Sequence, residues 1–165
     1  MNQRVLRSAE ELVERANRDG QSGRVASSGE LDRLARDLGQ LLPDWYLDLL
    51  ARVPLIGLEL GVQQAGPEPA EVSWLEWLGP SSISSESLEL YPGIALSRHG
   101  YLCVAGCAHG SGDQYFLTTT LGDDPPLIQV DHEAKFEADL PLAGGLVEIA
   151  PALSAFFASA KTCLP

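Results

Sequence analysis

The sequence predicts an α+β protein, with amphipathic helices toward both ends of the chain and a run of short strands between them. Two observations carry this. Apolar residues recur at helical spacing before residue 54 and again after residue 151, while the intervening strand-like runs are joined by glycine- and proline-containing connections short enough for an antiparallel meander. At 165 residues the chain has interior enough for one domain that needs no disulfide or metal staple. Its 45% hydrophobic and 21% charged residues match globular averages, which argues against a disordered chain despite sixteen glycines and eleven prolines.

Ser8-Ala-Glu-Glu11 has the form of a capping box. Ala9, Leu12, Val13 and Ala16 follow at helical spacing, so a short amphipathic helix is expected to reach Arg18 before Gly20, Gly23 and Ser27-Ser28 interrupt it. A second box, Ser27-Ser-Gly-Glu30, opens a helix with Leu31, Leu34, Ala35 and Leu38 on one face. Pro43 suits the first turn of a third helix, where a missing N–H costs nothing; Trp45, Tyr46, Leu49, Leu50 and Val53 form its apolar face and Pro54 ends it. In Leu55–Val62, Leu58, Leu60 and Val62 share one face and Glu59 points away, as in a strand buried on one side. Residues 64–73 read as a polar loop, and Trp74–Leu78 fits either a helical turn or a strand.

From Tyr91 onward the pattern is β, with runs at Ile94–Leu96, Tyr101–Ala105, Gln114–Thr119 and Leu127–Val130. Arg98-His-Gly100, the glycine-rich stretch Cys107–Asp113 and Gly122-Asp-Asp-Pro-Pro126 separate them. Pro151, Leu153, Phe156, Phe157 and Ala160 give a closing helix, and the chain has no internal repeat.

The net charge of −12 is unevenly placed. Residues 1–38 hold seven arginines and seven acidic residues, which cancel, so the deficit lies wholly in residues 39–165, with four basic against sixteen acidic residues. Such a body repels nucleic acid and anionic lipid and attracts basic proteins, although acidity also serves solubility alone. Neither a signal-peptide core nor a run of roughly 20 apolar residues is present, so the expected compartment is the cytoplasm. Cys103, Cys107 and Cys163 are read as free thiols, because an odd, sparse set is not a disulfide framework.

The stretch Cys107-Ala-His-Gly-Ser-Gly-Asp113 concentrates chemically active residue types. It is not a phosphate loop: no lysine follows the glycines, and Asp113 at the exit repels an anion. Gly110-Ser-Gly112 also lacks the glycine spacing of a nucleophile elbow. Zinc ligands would come from Cys103, Cys107 and His109, with His99 and His132, but Cys103 sits in an apolar strand and no Cys-x-x-Cys or His-x-x-x-His pair occurs. Acid–base catalysis would recruit His109 or His132 with Asp113, Asp131 or Glu133. The simpler reading is a structural turn: Gly110 and Gly112 supply positive φ, and the Asp113 carboxylate caps backbone N–H groups. No catalytic residue, metal or cofactor is therefore expected.

Several blocks taken together resemble a known family. They are Leu42-Pro-Asp-Trp-Tyr-Leu-Asp-Leu-Leu50, Tyr91-Pro-Gly-Ile-Ala, Gly100-Tyr-Leu-Cys-Val-Ala-Gly106, Gly110-Ser-Gly-Asp-Gln-Tyr-Phe-Leu117, Leu127-Ile-Gln-Val-Asp-His-Glu133 and Leu153-Ser-Ala-Phe-Phe157. In this order they resemble the SUKH superfamily from about residue 30 to 161. The resemblance implies a curved, mainly antiparallel sheet flanked by helices, and no enzymatic activity. It also implies a bacterial immunity protein that binds and neutralises a cognate toxin, often a nuclease, encoded by a neighbouring gene. Residues 1–29 would then form an N-terminal helical extension and linker ahead of a SUKH-like domain at 30–165. Ala152 stands where the family's closing helix often has a hydroxyl residue, which weakens that cap.

An acidic body suits inhibition of a basic toxin, since complementary charge speeds association. The candidate contacts are Glu86, Glu89, Asp123 and Asp124, in polar segments outside the apolar strands. The alternatives are a regulatory or scaffold module that binds a cellular protein, and a small hydrolase using His109 and Asp113.

Overall fold

The computed structural model describes residues 2–63, 72–110, 112–133, 136–137, 140–141 and 145–162. The polar loop expected at 64–73 falls mostly outside them, as does Cys163. In chain order the elements are α1 (Gln3–Arg18), α2 (Ser28–Leu38), a 3-10 turn (Gly39–Leu41), α3 (Asp44–Arg52), β1 (Glu59–Gln63), β2 (Val72–Trp77), α4 (Pro80–Leu88), α5 (Gly93–Ser97), β3 (Tyr101–Cys107), β4 (Gln114–Thr118), β5 (Leu127–Val130), β6 (Phe136–Glu137), β7 (Leu140–Pro141), β8 (Leu146–Ala150), α6 (Leu153–Ser159) and β9 (Lys161–Thr162). The fold is α+β. A seven-stranded antiparallel sheet, ordered β8-β5-β4-β3-β2-β1-β9, curls into a half-barrel with helices packed against it.

Strand periodicity explains how both faces of this sheet are covered. Leu102 and Val104 on β3, with Tyr115 and Leu117 on β4, face the main core shared with the N-terminal helices and α6. Cys103 and Phe116 point the opposite way and pack with Leu96 of α5 and Val130 of β5. A register shift between Cys103 and Ala105 returns Ala105 to the main core opposite Tyr115. In that core Trp77 of β2 stacks on Phe156 of α6, with ring centroids 6.2 Å apart, and touches Phe157 at 5.4 Å.

The residues expected to form an N-terminal extension and linker are packed into the same core. Val5, Ala9, Leu12 and Ala16 of α1 are fully buried. Arg15 Nη2 donates to the Phe157 and Ala160 carbonyls at 2.7 and 3.2 Å, satisfying the C-terminal end of α6. The side chain of Gln21 pairs with the Glu59 backbone in both directions, at 2.9 and 2.8 Å, much as a neighbouring strand would. Helix α1 also starts earlier than the Ser8 box suggests. Its N-cap is Asn2, whose Oδ1 accepts the Arg4 N–H at 2.9 Å, because Val5 and Leu6 extend the apolar face one turn upstream. The second box forms as expected, with Ser27 and Glu30 bonded reciprocally at 2.8 and 3.4 Å.

Other elements differ from the sequence expectation. Ile94–Leu96 is helical, within α5, rather than a strand. Three apolar residues fit either period, and the choice falls to packing: a Cβ at Gly93 would lie 1.7 Å from the Glu86 carbonyl oxygen, so α5 begins directly against the backbone of α4. Trp74 belongs to strand β2, while α4 and β8 carried no recognised pattern. Pro43 is the N-cap of α3 rather than a first-turn residue.

Candidate protein-docking site

The connection between β3 and β4 brings the Gly110–Asp113 corner onto the end of β5. Gly110 and Gly112 have φ of 92° and 83°, a region open to glycine at little cost. Asp113 reaches across strands rather than only along its own turn. Its carboxylate accepts from Gln129 Nε2 at 2.8 Å and from the His132 backbone N–H at 3.3 Å, and one oxygen lies 3.2 Å from His132 Nδ1. Asp131 and Glu133 stand 3.6 and 4.0 Å from the same ring. The hydrogen bond to Asp113 leads in raising the His132 pKa above its ordinary 6.5, and the surrounding carboxylates act in the same direction. Asp113, Asp131 and His132 offer ligand atoms within 4.8 Å of one another, and Asp113 is already engaged by Gln129 and His132.

Of the residues weighed as catalysts, His132, Asp113, Asp131 and Glu133 are thus brought together, while His109 stands apart from Asp113 and the zinc candidates do not converge among the described residues. His109 lies beside Glu59 at 3.9 Å and edge-on to Trp74, with ring centroids 6.3 Å apart, whereas Asp113 is joined to His132. His99 is exposed just past α5. Cys103 is buried, its thiol directed at the Ala105 carbonyl at 3.7 Å, and burial pushes its pKa far up, which holds it as an inert thiol.

Among the candidate contacts, Asp123 and Asp124 follow Gly122, whose φ is 83°, in the turn between β4 and β5. Both are partly buried, and Asp124 bonds the first turn of α6. Glu86 and Glu89 lie on and just after α4. Glu86 is partly buried and accepts a hydrogen bond from Gln114 Nε2; desolvation leads in raising its pKa. Glu89 is exposed at the C-cap of α4, with its N–H bonded to the Ser85 carbonyl at 2.9 Å.

Glu89 also lines a cleft of about 260 Å³ between α2 and α4. Asp37 faces it from α2, and Ser81, Ser84 and Ser85 from α4. Ser84 Oγ donates to Asp37 Oδ2 at 3.2 Å across the cleft, and Ser85 Oγ donates to the Ser82 carbonyl at 3.2 Å. Next to Glu89 in the chain come exposed apolar side chains: Leu88 is 38% exposed, Leu90 48%, Tyr91 53% and Ile94 37%. Sequence reasoning missed this group. The signal was the run Leu88-Glu-Leu-Tyr-Pro-Gly-Ile94, where apolar residues continue past the helix end with no period that would bury them all.

No protein-family model, curated protein or solved structure matches the chain.

Proposed function

We propose that this chain is a non-enzymatic immunity protein that binds a cognate bacterial toxin domain of basic character, such as a nuclease, and thereby neutralises it in the cytoplasm of the cell that makes both. The observation that carries the reading is the cluster of exposed apolar side chains at Leu88–Ile94, set beside Glu89 in a body that holds the whole net charge of −12. Apolar and tyrosine side chains bordered by carboxylates suit a protein partner of opposite charge, with the apolar part supplying affinity and the charge supplying rate. The resemblance of the blocks from Leu42 to Phe157 to the SUKH superfamily points to the same kind of partner.

The test is co-expression with the product of the adjacent gene. Survival and a purified complex are expected, with association slowing as salt rises because the steering charges are screened. Absence of both protection and a complex would refute the proposal. Turnover of a substrate by the purified chain alone would replace it with an enzymatic function.

A further inference from the structure

We propose that the cleft between α2 and α4 receives an arginine side chain of a basic protein partner, while the Leu88–Ile94 corner holds the apolar residue beside it. This rests on the partner-binding reading above and names where that partner docks.

The cleft is built to accept hydrogen bonds. The hydroxyl hydrogens of Ser84 and Ser85 are committed to Asp37 and to the Ser82 carbonyl, which leaves their oxygen lone pairs as acceptors. The carboxylates of Asp37 and Glu89 add acceptors from α2 and from the end of α4. A planar guanidinium with five donors matches such a set better than a single ammonium does. Glu30, which also lines the cleft, is already neutralised by Arg24 at 2.9 Å. Arg33 is the opposing charge in the lining; it is exposed, on a flexible stem, and opposes a second cation without blocking it.

The corner supplies what the cleft lacks. Glu89 both lines the cleft and sits between Leu88 and Leu90, so acceptors and apolar surface adjoin. Tyr91, 53% exposed, is of the residue type that typically anchors protein partners. A second copy of this chain is the wrong occupant on charge grounds, because two bodies of −12 would meet with like charge.

The experiment titrates the ¹⁵N-labelled full-length protein with an acetylated, amidated Arg-Trp-Arg peptide and follows amide shifts. Shifts should concentrate on Ser81–Leu90 and around Asp37. Glu89→Gln should weaken the peptide about threefold or more, as expected for loss of one partly screened charge pair. Arg33→Ala should strengthen it, a direction that a folding defect would not produce. Shifts spread evenly over the acidic surface, or equal affinity in all three proteins, overturn the proposal. So does a sedimenting dimer that Glu89→Lys dissociates, which would give the corner to a second copy. With the adjacent-gene product, Glu89→Lys should lose at least about tenfold in affinity. Undiminished binding by that variant overturns this docking site and leaves the neutralisation proposal standing. If the wild-type chain does not bind that product, the neutralisation proposal falls, and the peptide titration still decides the cleft.

Discussion

Asp124 and Ser154 are bonded twice: Asp124 Oδ1 accepts the Ser154 N–H at 2.8 Å, and Oδ2 accepts the Ser154 hydroxyl at 2.7 Å. Ser154 is in the first turn of α6, whose N-cap, Ala152, has no side-chain oxygen. The cap missing from the helix's own sequence is supplied by a turn thirty residues earlier. A carboxylate committed in this way has little left for a partner.

Asp124→Ala should therefore cost about 1–2 kcal/mol, the usual loss of an N-terminal cap with a charged acceptor. At roughly 3 °C per kcal/mol for a chain of this size, thermal unfolding should show a drop of several degrees. Affinity for the adjacent-gene product should be unchanged. An unaltered melting temperature would show that the cap is redundant.

Gly112→Ala should be more harmful than Gly110→Ala. Both positions have positive φ, and alanine there is strained by ~1 kcal/mol or more. At Gly112 the added Cβ meets the His132 ring at 3.2 Å, whereas at Gly110 it meets no atom of the described residues within 4 Å. The ring should be displaced from Asp113, so the His132 pKa, raised in the parent, should fall toward 6.5 in Gly112→Ala and in Asp113→Asn. A histidine with a raised folded pKa stabilises fully below its unfolded value and loses that contribution as pH rises through the folded one. The parent's small advantage over Asp113→Asn should thus shrink as pH rises above 6.5, which NMR titration with parallel melts would follow.

Glu86 carries the opposite sign to a salt-bridged acid. Its desolvated carboxyl holds a proton more tightly than the ordinary 4.5, so the folded state binds more protons and stability declines as pH climbs from 4.5 through the raised value. Glu86→Gln should melt at the same temperature as the parent or higher at pH 7, and lose that advantage near pH 4. A large loss at neutral pH would mean that the ionised form is needed for the bond to Gln114.

Glu30 shows the usual acid behaviour. The Arg24 hydrogen bond leads, with Ser27 assisting, in holding its pKa down to about 2. Its contribution is complete above 4.5 and is lost as pH falls toward about 2. Arg24→Gln should raise the Glu30 pKa and shift acid unfolding to higher pH. An unshifted acid limb would show that the Ser27 bonds hold the carboxylate by themselves.

Local periodicity was enough to read β3, β4 and β5, since Leu102 and Val104 alternate with Cys103, and Tyr115 and Leu117 with Phe116, as a sheet covered on both faces requires. The Ser27–Glu30 box likewise spans three residues and needs nothing from elsewhere in the chain. These features are determined by neighbours in sequence, and so the α+β class with its antiparallel meander was legible from the residues alone. Where the deciding contact comes from far along the chain, the sequence is silent. Ile94–Leu96 is a helix where Gly93 abuts the α4 backbone, and α1 belongs to the core because Val5, Ala9, Leu12 and Ala16 bury in it while Arg15 holds the end of α6. The same holds for function: Asp124 and Glu89 look alike in sequence, two acidic residues outside the apolar strands. Only tertiary structure commits the first to Ser154 and sets the second at the mouth of a cleft, because hydrogen bonds between residues dozens apart arise from folding the chain back on itself, not from its local pattern.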